Sequence, residues 1–509
     1  MRSTVRTDTE HFDVLIVGAG LSGIGAACHL QRDAADRSFA LLEARDAIGG
    51  TWDLFRFPGI RSDSDMHTLG YSFAPWRGSQ AIADGPAILD YVRRTADEHG
   101  VTERVRFGRR VVSARWSSDD AAWTVQARRA GDGEVEELTC SFLFSCCGYY
   151  DYDGGYAPSF PGAERFHGPI VHPQQWPEDL DYEDKRVVVI GSGATAVTLV
   201  PALAGRAAHV TMLQRSPSYV ISLPARDGLA DRARRWLPEM GAYNLVRAKN
   251  VALQTLSFQL SRRRPRLMKA LLQRGARSAL PPGFDVATHF SPSYDPWDQR
   301  LCVCPDGDLF DVLSDGRASI VTDTVTSFTE DGIELGSGVT LGADVIVTAT
   351  GLRLQAIGGM QLVVDGHEVS AAETTVYMGA MLSGVPNFAF VMGYTNASWT
   401  LKADLTCGFV TRLLQHMRQQ GHAWAMAPRL GGDVPRLPLL DLSSGYVQRS
   451  LAEFPAQGPS APWRVRQNYT LDRIALRRHH VDDGVLQFGR AARPAAGPDA
   501  DARATAAVA

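Results

Sequence analysis

Apolar positions along the chain come in short runs and helical stripes, separated by Gly-rich turns. Phe12 to Val17 (FDVLIV) is a short, mostly apolar run suited to a strand buried on both faces, and the Ala-rich stretch from Ser22 to Leu30 behind it predicts a helix. A second strand is predicted from Ser38 to Leu42, ending at Glu43. The same grammar returns as a strand from Arg186 to Ile190, a Gly-rich turn, a helix from Thr195 to Leu203 and a strand from His209 to Leu213. Two mononucleotide-type units follow from this, each expected at the carboxyl edge of its own parallel sheet. Between them, Phe107 to Ala127 and Cys140 to Ser145 read as strands around the polar turn Ala130-Gly131-Asp132-Gly133.

From Arg226 to Arg277 the pattern is helical and basic, with thirteen Lys plus Arg against three Asp plus Glu. This predicts an inserted helical subdomain. Its first reading is a solvated helix face, with a lid or a weak peripheral contact with anionic lipid as the alternatives. Strands resume from Ile320 to Thr350. Ala491 to Ala509 holds ten Ala and too few large apolar groups to pack, so a disordered tail is expected.

Composition narrows the class. The 509 residues are 45 % hydrophobic and 21 % charged, with a net charge of −4, which is globular and gives no reason to expect nucleic acid. The seven cysteines lack disulfide-framework or zinc spacing, so no metal is expected. The first twenty residues pass from polar to strand without room for a secretion signal, and no run of about eighteen apolar residues suggests a membrane span. A reducing cytoplasm is the expected location.

Gly18, Gly20 and Gly23 follow a strand and open a helix, which lets the backbone turn tightly and aim free N–H groups at a pyrophosphate. Glu43, twenty residues on, can accept the two hydroxyls of an adenosine ribose. The second cradle is Gly191, Gly193 and Ala196. After its next strand comes Gln214-Arg215-Ser216, where an Arg and a hydroxyl suit a 2′-phosphate and no carboxylate repels it, so NADP is favoured over NAD. One diol site and one 2′-phosphate site fit a bound FAD reduced by NADPH. No C-x-x-C pair suggests a disulfide substrate, which leaves O2 as the expected acceptor.

Phe166-His167-Gly168-Pro169-Ile170-Val171-His172-Pro173-Gln174-Gln175-Trp176-Pro177 reads F-x-G-x-x-x-H-x-x-x-W-P. This resembles the fingerprint of type I Baeyer–Villiger monooxygenases. The related flavin-containing monooxygenases typically lack the Trp-Pro ending. His172 and Trp176 are read as fixing a linker rather than as catalytic. The resemblance runs from about Phe12 to Phe488. Within it, Gly49 to Leu54, Pro58 to Asp65, Asp298 to Cys302 and Gly393 to Trp399 resemble the subgroup that activates the thioamide prodrug ethionamide.

That resemblance implies an α/β fold of two Rossmann-like dinucleotide-binding domains, for FAD and NADP, with a helical insertion. The expected division is FAD 1–150, NADP 151–225, insertion 226–290, NADP 291–390, FAD 391–489 and a disordered tail 490–509. By matched motif, Ser22, Glu43, Thr51, Trp52, Asp53, Leu54 and Asp63 would contact FAD, with the Val111 backbone at the adenine. Arg61, Ser62 and Asp63 would meet NADP, as would Ile190, Gly191, Ser192, Gly193, Ala194, Thr195 and Ala196, and then Arg215 and Ser216. Arg300 is the implied catalytic residue, oriented by Asp63 and favouring an anionic peroxide on the flavin. Gln299 stands where many relatives have Lys. The implied activity is NADPH- and O2-dependent oxygen insertion beside a ketone carbonyl through a C4a-peroxyflavin, with oxidation of sulfides or thioamides. The alternatives are a hydroxylase of N or S heteroatoms only, and an FAD-holding redox sensor with vestigial catalytic parts.

Overall fold

The computed structural model describes residues 9–478 and 480–490, so of the expected tail only Arg490 falls within it. The first strand, His11–Val17, lies parallel to Phe39–Leu42 on one side and Val135–Ser145 on the other; Val14 faces Phe39 and Phe142 across the two ladders. Flanked on both edges and covered on both faces, Val14, Leu15 and Ile16 are fully buried. Helices Leu21–Asp33 and Trp399–Gln420 pack together on one face of this sheet.

The first sheet is not wholly parallel, in contrast to expectation. Arg109–Ser117, Ala122–Arg129 and Val135–Ser145 form an antiparallel meander. Their connections are too short for the crossover a parallel pair requires. The last of these strands also starts earlier than the apolar run suggested, at Val135. Its polar half is held by cross-strand pairs, Arg109 to Glu136 at 2.7 Å and Arg115 to Glu137 at 3.0 Å.

The second sheet is parallel throughout, in the order Ala318–Thr322, His209–Gln214, Arg186–Ile190, Val345–Thr348 and Ile170–Val171. The chain then returns to the first sheet at Gln361–Val364, which lies parallel to Arg109–Ser117, and again at Phe388–Phe390. This return precedes the expected boundary at 390: the turn at Gly358-Gly359 leads straight into Gln361–Val364.

The basic stretch folds as helices Gly228–Trp236, Glu239–Arg263 and Pro265–Ala279. Asp227 caps the first by accepting the Leu229 and Ala230 N–H groups. Pro265 separates the other two, since the residue before a proline is pushed out of helical geometry and Arg264 takes φ −133°. No helix among the described residues is long and apolar enough to cross a membrane.

Candidate active site

The first Gly-rich turn works by close approach. Gly18 has φ +99°, and a Cβ there would sit 2.9 Å from the Cys146 carbonyl oxygen; at Gly23 it would sit 1.9 Å from the Gly18 oxygen. Helix Leu21–Asp33 therefore starts hard against the strand end, with Gly20 as its N-cap and no side chain capping it. Helix Ala194–Leu203 starts the same way after Gly193. Gly20, Ser22, Ala194 and Thr195 line one cavity of about 540 Å³. Uncapped N–H groups with no acidic side chain in either first turn are the donor set a pyrophosphate needs.

Glu43 is buried at the same cavity. Its Oε2 accepts the Ala19 N–H at 2.7 Å and its Oε1 the Arg45 N–H at 2.9 Å, fixing the carboxylate at the strand edge. Thr51, Trp52, Arg61, Ser62 and Val111 also line the cavity. Asp53 and Leu54 do not. Asp53 is 2 % exposed and held by Arg45, Arg56 and Arg93, while Leu54 packs against the core of the second sheet. Ile190 ends the strand Arg186–Ile190, Gly191, Ser192 and Gly193 form the second turn and Ala196 lies in its helix; none of them lines the cavity. Arg215 and Ser216 are exposed just past His209–Gln214 and do not line the cavity.

Asp63 and Arg300, 237 residues apart, meet at the cavity wall. Arg300 Nε lies 2.7 Å from Asp63 Oδ2, and its Nη2 donates to Oδ1 at 2.9 Å, a two-point pair that fixes the guanidinium plane. Burial opposes the charge on Arg300, but the Asp63 carboxylate, and beyond it Tyr149, Tyr446 and Tyr150, more than offset this and raise its pKa. Arg300 remains a cation at any working pH. Gln299 does not line the cavity.

Sequence reasoning missed an aromatic wall. Tyr149 stacks on Trp399 with centroids 5.0 Å apart, and its hydroxyl lies 3.3 Å from that of Tyr150. Trp399 Nε1–H donates to Ser22 Oγ at 2.8 Å, tying the long C-terminal helix to the first Gly-rich turn. Burial raises the pKa of both phenols, Tyr150 to about 12, so they stay protonated donors. The available signal was the Tyr149-Tyr150 pair shortly after the strand that ends at Ser145, at the carboxyl edge.

His172 Nε2 donates to the Gly351 oxygen at 3.1 Å and Nδ1 accepts the Gln174 N–H at 3.2 Å. Burial lowers its pKa, which favours this neutral form. The Gly351 contact joins two segments distant in the chain and the Gln174 contact holds the ring locally, a positioning role, and Trp176 packs edge-on against Tyr182.

A flavin-binding monooxygenase-like family matches residues 81–231, and an NAD(P)-binding Rossmann-like domain matches residues 16–79. Over 488 residues the chain is 54 % identical to FAD-containing monooxygenase EthA of Mycobacterium tuberculosis, covering 96 % of this chain and 99 % of that one. It is 51 % identical over 481 residues to EthA of Mycolicibacterium smegmatis, covering 94 % and 97 %. A solved structure of oxidized steroid monooxygenase bound to NADP matches with a TM-score of 0.72, at 23 % identity over 94 % of this chain and 100 % of that one, a likeness of fold. The architecture is thus the two-dinucleotide-domain fold that the motifs implied. With more than half of its aligned residues shared with EthA over nearly its whole length, the chain belongs to the FAD-containing monooxygenases, as its fingerprint suggested.

Proposed function

We propose that the enzyme uses NADPH and O2 to insert one oxygen atom beside a ketone carbonyl, giving an ester or lactone, and to oxidise sulfides or thioamides. The observation that carries this reading is the Asp63–Arg300 pair at the wall of the cavity. FAD and NADPH are the cofactors. The uncapped helix starts and Glu43 fit the former, held by Gly18, Gly20, Ser22, Glu43, Thr51, Trp52 and the Val111 backbone. Ala194, Thr195, Arg61 and Ser62 would meet NADPH, with Arg215 and Ser216 at its 2′-phosphate. Bound FAD supplies the redox chemistry, accepting two electrons from NADPH and delivering them to O2.

The chain's own contribution is electrostatic and steric. Attack on a ketone places negative charge on the former carbonyl oxygen. A cation that is fixed in plane and cannot give up its proton favours that charge without quenching the nucleophile. Asp63 holds the guanidinium so that it need not reorganise as charge develops. Tyr149, Tyr150 and Trp399 present a largely apolar wall that keeps water away from the same space. Oxidation of a sulfide places no comparable charge on the substrate and depends less on Arg300.

The test is Arg300→Ala, assayed on a ketone and on a sulfide with NADPH, with products identified by mass and by ester formation. Ester formation is expected to fall at least a hundredfold while FAD stays bound. Ketone conversion near the wild-type rate would refute the role. Sulfoxide formation without ester from the wild-type enzyme would favour heteroatom oxidation alone.

A further inference from the structure

Helix Glu239–Arg263 has two apolar sides, and only one of them is buried. Its inward face sets polar groups among Ala242, Tyr243, Val246 and Val251. Arg247 is 6 % exposed and donates to the His67 and Gly70 oxygens at 2.8 and 2.7 Å, while Asn250 and Gln254 donate to the Asp65 carboxylate at 2.8 and 3.0 Å. Its outward face is apolar. Leu245, Leu253 and Leu256 are exposed by 46, 55 and 66 %, at helical spacing with exposed Ala248 and Ala252 between them. From Met240 to Ser261 the only charged residues are the buried Arg247 and Lys249, which pairs with Asp227. A helix facing water carries charge on this side, and this one carries none.

Both ends of the apolar row are cationic. Before it, Trp236 is 86 % exposed beside exposed Arg232 and Arg235; after it come exposed Arg263, Arg264 and Arg266, then Leu267 and Leu271 at i and i+4. Among the described residues, none of these five guanidinium groups has a hydrogen-bond or ion-pair partner. The three helices pack in sequence on one another, so the exposed apolar and cationic residues belong to one helical subdomain.

We propose that this region docks the enzyme peripherally on an anionic lipid bilayer. Exposed leucines and a tryptophan suit the boundary between headgroup and acyl chain, and arginines can keep their charge among the phosphates while their stems lie along apolar surface. One apolar row alone binds weakly; a row with a cationic flank supplies the two signals that stable peripheral binding needs. A second copy of the chain is a poor occupant, because the same cations would face one another.

The test is sedimentation of the FAD-loaded enzyme with vesicles of phosphatidylcholine containing about 30 % phosphatidylglycerol, beside phosphatidylcholine alone. Binding is expected to the anionic vesicles only, to weaken with salt, and to bring brominated lipid close enough to quench Trp236. Leu253→Ser with Leu256→Ser, and separately Arg263→Glu with Arg264→Glu, should each lower vesicle partitioning more than tenfold. NADPH oxidation in solution should stay within twofold of wild type in both, which shows that they fold. The proposal is overturned if the enzyme ignores anionic vesicles, binds neutral ones equally well, or if either folded variant binds as wild type does. It is also overturned if the leucine variant changes only the oligomeric mass in light scattering, which would make the row a contact between copies.

Discussion

Asp63→Asn isolates what the carboxylate does for Arg300. The substitution keeps the size of the side chain and one acceptor oxygen, but removes the charge and turns the other acceptor into a donor facing the guanidinium. Two unit charges about 4 Å apart attract by roughly 4 kcal/mol at an effective dielectric constant near 20. Both side chains are partly open, 29 % for Arg300 and 33 % for Asp63, and solvent screening reduces that figure. A loss of about 1.5–3 kcal/mol in the placement of the cation remains, or roughly 10- to 150-fold in kcat for ester formation. The assay is steady-state ketone turnover, with FAD content and melting temperature as controls expected to stay near wild type. Because Asp63 is argued to act through Arg300, the decisive measurement is the double-mutant cycle. In an Arg300→Ala background the same substitution should cost less than about threefold. If Asp63→Asn slows Arg300→Ala as much as it slows the wild type, Asp63 acts on its own and the orienting role is wrong.

Arg215→Ala should raise the KM for NADPH about tenfold or more and leave NADH nearly unaffected, measured by initial rates with each cofactor, because the cation proposed for the 2′-phosphate is then gone. Lys402 and Asp472, 3 % and 9 % exposed and 2.9 Å apart, form a buried pair that also takes the Tyr394 hydroxyl, so Lys402→Met should cost about 3–5 kcal/mol in denaturant unfolding. Adding Asp472→Asn should restore part of that, since the uncompensated charge disappears. Burial of His29 works against its charge, but its contacts to Asp33 and Asp404 win and raise its pKa above 6.5. The stability from His29 is therefore fully present below pH 6.5 and lost as pH rises through the raised value. The stability advantage of the wild type over His29→Gln should shrink between pH 6 and 9, and an advantage that grows with pH would refute the assignment.

What could be read in the sequence was local. Each Gly-rich unit occupies one strand, one turn and one helix, and the steric reasons for Gly18 and Gly23 lie within a few residues of each other. Asp63 and Arg300 were reachable because each stands in its own motif, although nothing in either motif measures the 2.7 Å between them. The meander of the first sheet and the return at Gln361 were not legible, because strand partners there are chosen by long-range register. The stack of Tyr149 on Trp399 joins positions 250 apart, and neither side chain announces the other.

The long helix shows the sharper limit. Periodicity tells that Leu245, Ala248, Ala252 and Leu256 share a face, and the usual inference turns that face inward. The inward choice was instead made by what the neighbouring loop offers. The segment from His67 to Gly70 leaves carbonyl oxygens at the end of a short helix, and Asp65 presents a carboxylate. An arginine and two amides satisfy those acceptors, whereas leucines packed there would leave them unpaired at about 1–3 kcal/mol each. Turning inward the side that combines Arg247, Asn250 and Gln254 with Tyr243, Val246 and Val251 is thus the cheaper orientation for this helix in this place, and it leaves the leucines outward. An apolar stripe exposed for that reason is not an accident of loose packing, and the arginines at both ends of it give the exposure a use.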